Sequence, residues 1–185
     1  MSNTTDQVTT AEQLAARPDD GHRYELVDGV LRMMSPAGNR HGRIAARLLV
    51  RITNHVEQRE LGATYAAETG FLIHRNPDTV RAPDVAFVSR GRLEAFANHV
   101  GYLPLAPDLV AEVVSPSDSS SDVEAKVQSW LDAGVRVVLA VDPQNSTAKV
   151  REYRSESHIR AYSGGFVKLD DILAGFQLDV AELFA

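Results

Sequence analysis

The sequence predicts a single α/β domain, and three observations predict it. An Asp-Gly pair, Asp28-Gly29, separates two short apolar-rich runs, Arg23–Val27 and Val30–Met34. Both residues tolerate the positive φ of a tight primed turn, so the pair reads as a β-hairpin. Downstream, apolar residues recur at helical spacing over Asn39–Glu60. Further on, a helical stretch separates two apolar strands, Leu109–Ser115 and Val135–Val141.

Taken in order, residues 1–8 read as a disordered tail, and residues 9–185 as one domain. A short helix is expected over Thr10–Ala16, before Pro18 and Gly21 break the chain. The long helix carries Ile44, Leu48, Leu49, Ile52 and Val56 on one side, with Gly62 just past its end, where a C-terminal cap belongs. Three strands follow, over Thr64–Ile73, Pro83–Val88 and Leu109–Ser115. The stretch Arg90–Pro107 is a loop with at most one helical turn. Ser121 and Glu124 have capping-box form at the start of a helix over Asp122–Ala133, and Gly134 supplies its stop. Val135–Val141 is nearly all apolar and follows directly on that helix, as a buried central strand does. Beyond Thr147 the pattern supports two more strands, a Gly164-Gly165 turn and a short terminal element.

Composition narrows the function classes. A length of 185 residues suits one domain with a sizeable core. No cysteine is present, which removes disulfides and thiolate–zinc sites and suits a reducing cytoplasm. The first residues, Met1–Gln7, lack the form of a secretory signal, and no apolar run is long enough to span a bilayer. The formal charge of −6 argues against a strongly cationic nucleic-acid binder. Arg40, Arg43, Arg47 and Arg51 nevertheless share one helical face, either as a solvated surface or as a local basic patch.

Charged residues set into apolar patterns point to a site. Glu112 lies in the strand Leu109-Val-Ala-Glu-Val-Val114, where every neighbour is apolar. Taking an ion out of water costs several kcal/mol unless a partner offsets it, so Glu112 calls for a cation. Lys126 sits three residues after Val123 and four before Trp130, within the inward stripe of the second helix. Asp84 follows Pro83 at the head of another apolar strand. If the two strands are neighbours, Asp84 and Glu112 share one edge of a cleft, and two carboxylates held together require a cation between them. Oxygen ligands of this kind suit Mg²⁺ or Mn²⁺. A lysine beside them can orient the attacking water or help deprotonate it, and can steady developing charge. The competing arrangement is a buried Glu112–Lys126 ion pair with Asp84 merely capping a strand. Ser115 and Ser117 lack a Gly-x-Ser-x-Gly elbow, and no Gly-rich phosphate loop follows a strand, so serine hydrolase and P-loop chemistry are unsupported.

Pro83-Asp84, then Glu112 on the next strand, then Lys126 resembles the PD-(D/E)XK nuclease superfamily. More closely, the chain resembles the Uma-type restriction endonuclease family. The stretches that carry this are Tyr24–Gly29, Met34–Pro36, His41, Arg81–Asp84, Pro107–Pro116, Lys126, Ala133–Val135 and Val141–Pro143. The resemblance implies an αβββαβ core, with a central mixed sheet flanked by helices, to which the N-terminal β-hairpin is added. It also implies Mg²⁺-dependent (or Mn²⁺-dependent) cleavage of DNA, with Asp84 and Glu112 as metal ligands, Lys126 as the catalytic lysine, and a homodimer. In the wider superfamily the lysine sits two residues after the glutamate; that position is Val114 here, and Lys126 matches the version displaced onto the helix. Glu25, His41 and Glu68 are further candidates for the site. The alternative function is a catalytically silent nuclease fold that binds nucleic acid or a protein.

Overall fold

The computed structural model describes residues 10–147 and 149–185, so the expectation for the tail at 1–8 lies outside the described residues. The short first helix, α1 (Ala11–Ala15), is fixed by a capping box between Thr10 and Gln13. The hairpin forms as the sequence predicts. β1 (Arg23–Val27) and β2 (Val30–Met34) pair antiparallel from Val27–Val30 to Arg23–Met34. Asp28 and Gly29 both take positive φ, at 50° and 73°.

The long helix, α2 (Asn39–Gln58), buries Ile44, Leu48, Ile52 and Val56, spaced four apart along one stripe. Each such burial contributes about 1.5–3 kcal/mol. Gly62 does not cap this helix; Glu60 takes the left-handed conformation (φ 52°) instead. Gly62 opens β3 (Gly62–Ala66), where a Cβ would run into the backbone carbonyl of Val88 on the neighbouring strand.

The expected strand Thr64–Ile73 is two strands in two different sheets. β3 ends at Ala66, the chain turns through Glu68 (φ 81°) and Gly70, and β4 (Phe71–His74) begins a new pairing. β5 (Thr79–Arg81), unforeseen in the sequence because it is only three residues long, pairs with β4 and with β1. The hairpin is therefore part of a four-stranded sheet ordered β2-β1-β5-β4.

The main sheet has six strands, ordered β10-β9-β8-β7-β6-β3. Its centre consists of β6 (Val85–Ser89), β7 (Leu109–Val113) and β8 (Val137–Val141), all apolar and almost wholly buried. β7 and β8 are parallel, and the other neighbours are antiparallel. A parallel pair needs a crossover, supplied here by α4 (Ser120–Asp132). Its cap is Ser119 with Asp122 rather than Ser121 with Glu124, so the helix starts two residues earlier than the sequence pattern indicates. Between β6 and β7 lie α3 (Arg90–Leu93) and a 3-10 turn over Glu94–Phe96. β9 (Val150–Ser155) and β10 (His158–Tyr162) extend the sheet. A small pair, β11 (Phe166–Lys168) and β12 (Gln177–Asp179), precedes α5 (Val180–Phe184).

The run α2, β3, β6, β7, α4, β8 is the expected αβββαβ core, with the mixed sheet flanked by helices. On the α2 side, Leu109, Ala111 and Val113 of β7 join the larger apolar cluster. On the α4 side, Val110 and Val114 pack with Val123, Val127 and Trp130. Strand alternation therefore aims Glu112 toward α4. Two of the four arginines grouped on α2 bind the chain's own end: Arg47 donates to the Leu183 and Ala185 carbonyls, and Arg51 pairs with Glu182 at 3.0 Å. Among the described residues no helix is long and apolar enough to cross a membrane.

Candidate metal centre

β6 and β7 are in register from Phe87–Leu109 to Val85–Ala111, so the next step places Asp84 across from Glu112. Asp84 stands just before β6 rather than within it. Its Oδ2 accepts the Val113 N–H at 2.7 Å and lies 3.2 Å from His41 Nε2 at the start of α2. The carboxylate that precedes one central strand is thus held by the backbone of the next. The same Asp84–His41 hydrogen bond raises the His41 pKa above its ordinary value, and burial only partly opposes it.

Glu112 is 9% exposed, at the junction of the sheet and α4. Trp130 donates its indole N–H to Glu112 Oε1 at 2.9 Å, and Lys126 Nζ lies 2.9 Å from Oε2. Burial raises the Glu112 pKa well above the carboxylate range. Lys126 pulls it back, and the charges of Asp84 and Glu25 push it further up. Burial alone would lower the Lys126 pKa, but the carboxylates of Glu112 and Glu25 outweigh it and hold the ammonium on.

Glu25 belongs to the same cluster. It is buried on β1, with Oε1 3.8 Å from Lys126 Nζ. Its other contacts are Arg81 Nη1, 3.0 Å from Oε2, and the Ala82 N–H, 3.0 Å from Oε1. Arg81 also donates to Ser129 on α4 at 3.0 Å. The four-stranded sheet, the main sheet and α4 therefore meet in an alternating row of charges, Arg81, Glu25, Lys126 and Glu112, with the Asp84–His41 pair beside it.

A cleft of about 550 Å³ opens above this row, and Glu25, His41, Glu68, Asp84, Glu112 and Lys126 all line it. Of the six, Glu68 stands apart: its side chain is 59% exposed and paired with Arg23 at the rim. Val114, where the wider superfamily carries its lysine, is buried in the apolar cluster under α4. Arg81 and Trp130 were not singled out for the site by the sequence pattern. A buried indole N–H needs a partner, and that need is the one signal in the sequence by which Trp130 could be tied to a nearby acceptor.

Among the described residues no group of three histidine or carboxylate side chains forms a ready-made metal cage. The donor set nevertheless fits a hydrated hard cation. Two facing carboxylates offer oxygens of the kind such an ion takes, and burial and Asp84 disfavour the ionised Glu112 while Lys126 favours it. His41 reaches Asp84 through Nε2, and its Nδ1 is buried with no hydrogen-bond partner.

The comparisons agree with this architecture. No curated protein matches the chain. A solved structure, "a putative nuclease belonging to DUF820" from Anabaena variabilis, is similar in fold, with a TM-score of 0.79 at 19% identity. The match covers 95% of this chain and 97% of that one. A family model matches residues 11–181, nearly the whole described structure and all of the charged row. The chain therefore belongs to the Uma2 family, "Putative restriction endonuclease".

Proposed function

We propose that the protein is a Mg²⁺- or Mn²⁺-dependent endonuclease that hydrolyses phosphodiester bonds in DNA. The observation that carries this reading is the convergence of Asp84, Glu112 and Lys126 at the foot of one cleft.

In this reading Asp84 and Glu112 hold the ion through carboxylate oxygens. The ion, when bound, makes a water more acidic and offsets charge on the phosphate. Lys126 is a fixed ammonium, because Glu112 and Glu25 favour its charged form. It is therefore suited to orient the attacking water and to steady negative charge on the phosphate. Trp130 holds the far oxygen of Glu112, which leaves Oε2 facing Lys126. His41 holds Asp84 through Nε2 and so positions that carboxylate. A homodimer is carried forward from the family resemblance, and light scattering tests it.

The experiment is calorimetric titration of Mn²⁺ into the parent and into Glu112→Ala, alongside Mg²⁺-stimulated cleavage of DNA by the parent, Asp84→Ala and Glu112→Ala. Saturable binding lost in Glu112→Ala, and cleavage lost in both variants while they remain folded, is the expected result. Cleavage by either variant at the parent's rate sinks the assignment.

One observation favours a second reading, a silent nuclease fold that binds nucleic acid or a protein. Each carboxylate of the pair already has a partner within the chain, His41 for Asp84 and Lys126 for Glu112. A parent that binds no Mn²⁺, with or without DNA, and cuts nothing, together with an Asp84→Ala variant more stable than the parent, would favour it.

A further inference from the structure

Tyr102, in the long loop between β6 and β7, lines the cleft with its ring held in place. The loop is pinned to β4 by two hydrogen bonds, Leu72 N–H to the Leu103 carbonyl at 2.9 Å and Leu103 N–H to the Gly70 carbonyl at 3.3 Å. The Tyr102 ring lies against Gly70 so closely that a Cβ there would fall within 2.7 Å of Cε1. The ring therefore occupies the space a side chain at position 70 would fill, and is partly buried and partly open to the cleft.

Apolar surface also faces the cleft from β2. Met34 is paired with Arg23 and so lies on the same sheet face as Glu25, two residues along from Arg23. It is 37% exposed, and Ser35 and Pro36, which follow it, line the cleft as well. The reacting groups are recessed beneath these walls: the side chains of Asp84 and Glu112 are only 16% and 11% exposed.

The cleft offers little purchase on a phosphate backbone. Glu25, Glu68, Asp118 and Asp122 join Asp84 and Glu112 in lining it, against Arg23, Lys126 and the titratable His41. Duplex binding relies on cations spread along both strands. A single strand can bend into a recess, and its exposed bases can stack on aromatic and apolar side chains. A paired strand presents its phosphates on a rigid, convex cylinder and keeps its base faces covered.

We infer that the substrate strand enters this cleft unpaired, with a base stacked on Tyr102 beside the scissile phosphate. The inference rests on the nuclease reading for its phosphate and adds the class of substrate, single-stranded or locally unpaired DNA.

The test compares a short single strand, its blunt duplex and a forked duplex as substrates with Mg²⁺, for the parent, Tyr102→Ala, Tyr102→Phe and Tyr102→Trp. Binding of the same labelled oligonucleotides is followed by fluorescence anisotropy. We expect cutting of the single strand and the unpaired arms at least about tenfold faster than of the blunt duplex, given what one stacked base contributes. Tyr102→Ala is expected to lose about tenfold on the single strand, while Tyr102→Phe and Tyr102→Trp, which keep the ring, retain the parent's rate. Thermal melting identifies any variant that fails to fold, and the two ring-bearing variants then decide. Blunt duplex cut as fast as single strand overturns the inference, as does a folded Tyr102→Ala with unchanged single-strand activity. If nothing is cut, single-strand binding that is tighter than duplex binding and depends on the ring upholds the inference while removing the nuclease reading. Equal binding removes the inference.

Discussion

Trp130 donates its indole N–H to Oε1 of Glu112 across 2.9 Å, so the core aromatic of α4 is also what orients the buried carboxylate. The bond constrains both partners. The indole needs an acceptor once it is out of water, and Glu112 needs each oxygen satisfied because burial already disfavours its charge.

Trp130→Phe keeps most of the apolar volume and removes only the donor and part of the ring. The expected loss is about 1–3 kcal/mol of stability from the unsatisfied acceptor and the void together. Chemical denaturation measures it. Mn²⁺ affinity should fall as well, because Glu112 is free to rotate. Unchanged affinity in a folded Trp130→Phe would show that the indole serves packing alone.

Lys126 and Glu112 are expected to be coupled in stability. Lys126→Met leaves a carboxylate buried beside Asp84 and Glu25 with its nearest cation gone, at a cost of about 3–5 kcal/mol. Adding Glu112→Gln to that variant removes the stranded charge and should restore much of the loss. A double-mutant cycle by urea denaturation measures the coupling, and additive single effects would mean that the ammonium is already solvated.

Much of this arrangement is legible in the sequence. Glu112 stood out because it interrupts a strand of valines, and Lys126 because it falls in the stripe of Val123, Val127 and Trp130. Charges in apolar surroundings announce their need for partners. Glu25 was less visible, since its strand is short and its burial comes from β5 and α4 rather than from its own neighbours. The break between β3 and β4 was hidden for a related reason. Thr64–Ile73 has strand-forming residues throughout, and only the backbone at Glu68 and Gly70 decides that it turns into another sheet. The cap of α4 is not legible in the sequence because the segment offers Ser119, Ser120 and Ser121 in succession, and spacing alone does not choose among them.

His41 should titrate above its ordinary pKa of 6.5 in the metal-free protein, because the Asp84 carboxylate holds the imidazolium. The folded pKa is the higher one. The stabilising contribution is therefore full below about pH 6.5 and is lost as pH rises through the folded value. Histidine Cε1–H NMR signals followed against pH read this directly. In Asp84→Asn the His41 pKa is expected to drop, and saturating Mg²⁺ should lower it too, since the ion takes over the Asp84 charge. Linkage then requires Mg²⁺ to bind more tightly as pH rises through that transition. A His41 pKa indifferent to both Asp84→Asn and Mg²⁺ would dissociate this histidine from the carboxylate site.

Arg81 pairs with Glu25 within the four-stranded sheet and reaches α4 through Ser129, and its side chain is only 11% exposed. Arg81→Met removes the nearer cation from Glu25, a carboxylate whose side chain is 5% exposed, so about 3–5 kcal/mol of stability should be lost. The remaining cation within reach is Lys126, at 3.8 Å from Glu25 and 2.9 Å from Glu112. With Arg81 gone, Glu25 draws Lys126 away from Glu112, and Glu112 is left beside Asp84 with less compensation. A cation then relieves more repulsion than it does in the parent, so Mn²⁺ should bind Arg81→Met more tightly even as the metal-free protein becomes less stable. Calorimetry on the folded variant decides the point. Weaker Mn²⁺ binding in Arg81→Met would mean that Arg81 acts by holding the cleft together, and that the row of charges does not exchange its cation along its length.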